Sequence, residues 1–432
     1  MKNTLLFFCL LLTISAAKAQ LYFPPLTGTT WDTLSPAQLG WCTNYLDTLD
    51  NLLLQTNSKA IIILKDGKIV HEKYFGTFKQ DSLWYWASAG KSLTSVLVGV
   101  AQQEGLLSIN DTSSKYLGTG WTTCTPQQEA AIKIRNQLTM TTGLDDGVPD
   151  KDCTLDSCLV YLADPGTRWA YHNGPYTRLD GVISGATGLN LNSFLLTRVK
   201  QKTGMDGIYY QSGYNNVFVS TARSMARFGL LMLNKGYWNT TAVLSDTAYF
   251  NAMTNTSQNL NLSYGYLWWL NGKSTYMMPQ VQFVFNGSII PNGPADMFCA
   301  LGKNDQKVHV VPSKNLVVIR MGEAAYANEL VPLTLDDEMW VVLNKLMCSS
   351  TNITEPLTDE NLYVYLNPVT DVLHIAGSYG QYTTAIWSTT GQKVCSANGA
   401  NYVNVSQLPA GIYVAHITDT NTGKTRRIKF VK

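Results

Sequence analysis

Ser88-Ala89-Gly90-Lys91 puts a hydroxyl and an amine three residues apart. On a helix that spacing sets two side chains on one face, a turn apart. A serine hydroxyl is a poor nucleophile until a base takes its proton. A lysine can do that when burial and its neighbours lower its pKa. A helix start also aims free backbone N–H groups at incoming negative charge. The S-x-x-K pattern occurs twice, at Ser15–Lys18 and Ser88–Lys91, and only the second opens an amphipathic segment. Taken alone, it also fits a serine at a helix start with a solvated lysine beside it.

Two further sites could join it. Tyr171-His172-Asn173 offers a phenol and an amide. A tyrosinate held near an ammonium can act as a general base, and an Asn amide can orient an ester or amide. Six other tyrosines precede an Asn by two, so position singles out Tyr171, which lies 83 residues after Ser88 and just before an apolar segment. Ala300-Leu301-Gly302-Lys303 precedes a β-rich pair, and a glycine on a strand lets a ligand or another backbone approach closely.

These residues need elements to hold them. Residues 59–75 read as two β-rich runs around Asp66-Gly67, a hairpin turn pair. Residues 306–322 read as a second pair, around Pro312 to Asn315. Between them the pattern turns helical: Leu93, Val96, Leu97 and Val100 form one apolar stripe, and Ser220 to Leu233 behaves alike. The expected fold is α+β: an antiparallel sheet built from both ends of the domain, flanked by helices, with a helical region inserted.

The three motifs, in this order, resemble the serine β-lactamase and penicillin-binding-protein superfamily in its class C-like branch. The likeness extends to Ser88–Leu107, Gln137–Leu144, Tyr171–Gly188, Ser220–Gly236, Tyr264–Trp269 and Val311–Gly322, and covers roughly residues 30–348. It implies an acyl-serine mechanism with Ser88 as nucleophile, Lys91 and Tyr171 sharing the proton shuttle, and Asn173 contacting substrate. The implied oxyanion hole joins the Ser88 N–H to one near Lys303. The family's third motif is usually Lys-Thr-Gly or a His-x-Gly variant. Here Ala300-Leu301-Gly302 takes that place, with Lys303 one position off, and no class A-type E-x-x-L-N motif is present. The side chains that often hold a substrate carboxylate are therefore missing. Esterases and 6-aminohexanoate-dimer hydrolases of this branch also lack the standard third motif. The resemblance thus implies an ester or amide hydrolase. A β-lactamase, a D-Ala-D-Ala carboxypeptidase and a non-catalytic surface protein retaining the fold are the alternatives.

Composition narrows the rest. The chain has 432 residues, 45% hydrophobic and 14% charged, with a net charge of +2. That allows two or three domain-sized units and supplies no charge excess for a nucleic-acid backbone. Residues 1–19, MKNTLLFFCLLLTISAAKA, read as a secretory signal peptide: Lys2, an apolar run of about ten residues, and Ala17-Lys18-Ala19 before the cut. Beyond it no run of 18 apolar residues suggests a membrane span. Export permits disulfides. Seven cysteines remain after Cys9, and Cys153 and Cys158 enclose a short loop that suits a local bridge. The other partners are not fixed by spacing, and no metal-site signature or cofactor motif is present.

Residues 349–361 form a polar linker. From 362 to 432 short strands alternate with turns, as in a small Ig-like β-sandwich. This tail resembles the C-terminal sorting domain of type IX secretion cargo, on Leu366-Asn367-Pro368-Val369-Thr370-Asp371, Thr390-Gly391-Gln392, Leu408 to Tyr413 and the basic end Lys424–Lys432. The resemblance implies a Bacteroidetes-type bacterium, recognition by the type IX machinery, and display on or release from the cell surface. The expected layout is signal peptide 1–19, hydrolase 20–348, linker 349–361 and sorting domain 362–432.

Overall fold

The computed structural model describes residues 21–327, 331, 333–348, 363–365, 368–376, 381–389, 391–421 and 425–432. The expected signal peptide and linker lie outside the described residues, as do Leu366, Asn367, Thr390 and Lys424 of the tail. The chain divides into two compact units, one ending at Cys348 and one starting at Ser349.

The first unit is built on a six-stranded antiparallel sheet. Its strands are β1 (Ser58–Lys65), β2 (Lys68–Tyr74), β3 (Trp269–Leu270), β4 (Phe298–Gly302), β5 (Gln306–Val311) and β6 (Leu316–Gly322). The order is β2-β1-β6-β5-β4-β3, so the N-terminal hairpin closes against the last strand of the domain. The β1–β2 turn forms because Asp66 and Gly67 both take positive φ, 51° and 83°, which the twist of a tight hairpin requires.

Helices cover both faces of this sheet. Strand β5 shows why, since successive side chains point to opposite faces. Val308 faces α5 (Ala222–Leu233), whose Gly229 packs so closely that a Cβ there would lie 2.4 Å from Val317. Lys307 and His309 face the other way, toward α6 (Thr334–Leu346). There Lys307 pairs with Asp336 and, at 2.9 Å, with Asp305, and His309 Nε2 lies 2.5 Å from Asp336. Burial alone would raise the Asp336 carboxyl, but Lys307 and His309 outweigh it and hold the group below the usual carboxylate range. Helix α1 (Leu46–Gln55) packs on α6, and a Cys42–Cys348 disulfide joins the two ends of the unit.

The expected Cys153–Cys158 bridge is present. Cys124, Cys299 and Cys395 are unpaired among the described residues. No helix among the described residues is long and apolar enough to cross a membrane.

Among the described residues, the second unit holds seven strands: β7 (Tyr363–Tyr365), β8 (Val372–Ala376), β9 (Tyr382–Ser388), β10 (Lys393–Asn398), β11 (Tyr402–Asn404), β12 (Ile412–Asp419) and β13 (Thr425–Val431). They form a three-stranded sheet, β7-β8-β11, and a four-stranded sheet, β10-β9-β12-β13. Leu373, Ile386, Ala415, Ile417 and Phe430 share one core. Burial along β12 alternates strictly, which a sheet with one covered face requires.

The Cys42–Cys348 bridge spans 306 residues, so it strongly restricts the unfolded chain. Replacing both cysteines by alanine should lower unfolding free energy by about 2–4 kcal/mol. Urea denaturation of the oxidised protein and the variant checks this, and a loss below about 0.5 kcal/mol contradicts it.

Candidate active site

The Ser88 segment is fixed from behind. Trp86 is fully buried, donates its backbone N–H to Phe218 at 2.8 Å and its indole N–H to Ser220 Oγ at 2.8 Å. Ala87 follows with φ of +47°, a conformation unusual for a residue with a Cβ. One 3₁₀ turn, Ala87–Ala89, then carries Ser88 directly into α2 (Gly90–Gln103). The chain therefore turns sharply just before the hydroxyl and becomes helical just after it.

Lys91 lies in the first turn of α2. Its Nζ is 3.0 Å from Ser88 Oγ, and the side chain is 5% exposed as a residue. The ring centroids of Tyr176 and Tyr171 lie 4.3 and 5.3 Å from the amine. Burial pushes the Lys91 pKa down to about 7, while Asp152 and Asp180 pull it back up. Burial likewise raises the carboxyl of Asp180, on α4 (Leu179–Thr187), to about 7, against the Asn216 amide that donates to it and the Lys91 charge. Near neutral pH a sizeable fraction of Lys91 is thus the free amine, able to accept the Ser88 proton.

Tyr171 precedes α3 (Asn173–Thr177) and sits in an aromatic box. Its ring stacks on Trp269 at 6.0 Å and meets Tyr264 edge-on at 6.2 Å. Burial raises the Tyr171 phenol well above its ordinary value, and nearby Ser88 only partly offsets this. A phenol so placed keeps its proton at neutral pH. So placed, it can donate a hydrogen bond or pass on a proton, whereas its motif suggests a tyrosinate base. His172, between them, is buried, and burial takes its pKa down to about 4, so its imidazole is neutral.

Asn173 opens α3, and its Nδ2 donates to Asp152 Oδ1 at 2.6 Å. Gly302 ends β4 directly against the Ser88 segment: a Cβ there would lie 2.3 Å from the Trp86 carbonyl oxygen and 3.0 Å from the Ala89 nitrogen. Only glycine permits that approach. Lys303 is exposed in the following turn. The turn is held from inside, because the Arg320 guanidinium donates to the Asn304 and Asp305 carbonyls at 3.0 and 3.1 Å. Asn304 also reaches Tyr85 Oη at 2.7 Å.

Ser88, Lys91 and Tyr171 therefore meet, with Gly302 pressed against the same turn. Residues 53–336 match the β-lactamase family model. The chain belongs to the β-lactamase family. Residues 363–431 match the secretion system C-terminal sorting domain, which identifies the tail. An uncharacterized protein of Alkalihalophilus pseudofirmus is 24% identical over 307 residues, 62% of this chain and 84% of that one. A provisionally named β-lactamase of Bacteroides dorei superposes with a TM-score of 0.57 at 16% identity, over 71% of this chain and 99% of that one. A provisionally named 6-aminohexanoate-dimer hydrolase of Bacillus anthracis gives 0.53 at 19%, over 68% and 81%. The β-lactamase/D-alanine carboxypeptidase of Yersinia pestis gives 0.52 at 16%, over 70% and 97%. At these identities the likeness is one of fold.

Within that family fold, Ala300 and Leu301 of the third motif are buried in β4. Sequence reasoning did not find Asp152, Asp180, Tyr176 or Trp269. Each reaches the site through space, and none lies at a motif spacing.

Gly302→Ala should destabilise the fold by about 1–3 kcal/mol, since the added methyl overlaps backbone that cannot retreat. Chemical denaturation measures this, and an unchanged midpoint contradicts the close packing.

Proposed function

We propose that this β-lactamase-family protein is an exported serine hydrolase that cleaves an ester or amide through an acyl-serine intermediate. The observation that carries the reading is the Lys91 amine, buried and 3.0 Å from Ser88 Oγ. Ser88 Oγ attacks the substrate carbonyl carbon while its proton passes to Lys91. The bond to the leaving group breaks, and the leaving group takes a proton from the Lys91 ammonium by way of the Tyr171 hydroxyl. Water then adds to the acyl carbonyl, Lys91 again serving as base, and releases the acid and the Ser88 hydroxyl. The backbone N–H groups of Ser88 and of the Gly302–Lys303 segment form the oxyanion hole, and Asn173 contacts the substrate.

Ala300 and Leu301 offer no cation or hydroxyl to hold a substrate carboxylate. That favours neutral esters and amides over β-lactams and D-Ala-D-Ala peptides. The sorting domain supports passage through the type IX machinery to the surface or medium, with a signal peptide at residues 1–19 and the hydrolase unit spanning 20–348. Such a location also argues against work on peptidoglycan.

The mature chain, offered a short-chain 4-nitrophenyl ester and a chromogenic cephalosporin side by side, should turn over the ester. A fluorophosphonate should add its mass to Ser88. Turnover of only the cephalosporin makes it a β-lactamase, and inertness to both with no adduct makes it a binding protein. Ser88→Ala should lose at least about a thousandfold in kcat while unfolding at nearly the same temperature.

Activity should also follow Lys91. With its pKa lowered to about 7, the free amine, and so kcat/KM, increases as pH rises through that value. A profile flat from pH 5 to 9 contradicts lysine as the base.

A further inference from the structure

Arg320, on β6, is a fully buried charge that the reaction sequence above does not use. Its Nε donates to Ser58 Oγ at 2.9 Å. Nη1 donates to the Asn304 and Asp305 carbonyls at 3.0 and 3.1 Å, and Nη2 to the Thr56 and Glu323 carbonyls at 2.7 and 3.0 Å. Each of these acceptors is uncharged. A Cβ on Gly322 would lie 2.4 Å from Arg320 Cζ, so glycine there makes room for the fork. Burying a charge is unfavourable even when its donors are met, and apolar side chains often fill such a place at less cost. What the guanidinium joins is therefore the informative point.

It ties the end of α1, the start of β1 and the end of β6 to the β4–β5 turn. Only the turn is strained. Asn304 and Asp305 take φ of 59° and 63°, two left-handed residues in succession with no glycine between them. Such a conformation persists where its surroundings over-determine it. The carbonyls of these two residues are the ones that Nη1 holds. Gln306 Nε2 adds a bond to the Asn304 carbonyl at 2.7 Å.

The turn also stands beside the nucleophile. Gly302 begins it, so close to the Ser88 segment that a Cβ would lie 3.0 Å from the Ala89 nitrogen. The Lys303 N–H lies in the peptide plane that leaves Gly302, and the turn sets the tilt of that plane.

We propose that Arg320 is the positioning residue of the oxyanion hole, holding the Asn304–Asp305 turn in its left-handed form so that the Lys303 N–H points at the oxygen of the tetrahedral intermediate. Arg320 acts through the turn and touches no substrate. The inference rests on the acyl-serine reading above. Asp305 and Asp336 offset the charges of Arg320 and Lys307, so geometry rather than field is what Arg320 supplies. A lysine keeps the charge but lacks the planar fork that reaches four segments at once.

The test compares the mature wild-type chain with Arg320→Lys. A short-chain 4-nitrophenyl ester reports acylation through kcat/KM. Benzeneboronic acid, whose tetrahedral Ser88 adduct places an oxygen in the hole, reports the hole itself through Ki. Endpoint fluorophosphonate labelling counts folded sites, and both constants are expressed per labelled site. The variant should lose about tenfold or more in kcat/KM, with Ki rising in parallel, because small misplacements of such donors are costly. Unchanged constants per labelled site give Arg320 a structural role only and overturn the proposal. A crystal structure of the wild-type boronate adduct decides the matter if the variant does not fold. It should show the Lys303 nitrogen about 3 Å from a boronate oxygen, and an oxygen directed away from the turn overturns the proposal. A wild-type chain that takes neither ester, boronate nor fluorophosphonate strikes the acyl-serine reading instead.

Discussion

A buried amine beside a hydroxyl, in a place water reaches poorly, is the condition that the rest of the first unit serves. A lysine in water is protonated at neutral pH and cannot act as a base. In the proposed mechanism Lys91 does so because it is buried, with the Tyr171 and Tyr176 rings over its amine. Two carboxylates, Asp152 and Asp180, oppose the shift, so burial is the larger effect. Trp269 and Tyr264 hold the Tyr171 phenol in place, while the Tyr176 ring lies over the amine.

The sheet supplies the second requirement, a rigid partner for the Ser88 turn. Strand β4 ends in Gly302 against the Trp86 carbonyl, and Arg320 fixes the turn that follows. Behind β5, the buried pairing of Lys307 with Asp305 and Asp336 ties α6 to the same strands. Breaking a buried pair by removing one partner costs several kcal/mol, so this cluster resists any shift of β5 relative to α6.

Much of this was legible in the sequence wherever the signal was local. The Asp66-Gly67 turn, the apolar stripe of α2, the strands on either side of Pro312 and the short strands of the tail all follow from short-range pattern. So does the meeting of Ser88 with Lys91, because three residues on a helix fix their distance. What lay hidden is through-space. No spacing announces that Tyr176 covers the amine, that Asp152 holds Asn173, or that Cys42 pairs with Cys348 across 306 residues. Tyr171 is the instructive case: its motif suggested a tyrosinate, and its burial among aromatic rings keeps it protonated. Residue type set the possible roles, and packing chose between them.

The most direct test is a nuclear magnetic resonance titration of Lys91 in the mature chain, following its side-chain amine with isotope-labelled lysine and assigning it through Lys91→Arg. The account predicts a midpoint near pH 7. A midpoint above about 10, the ordinary lysine range, would contradict it.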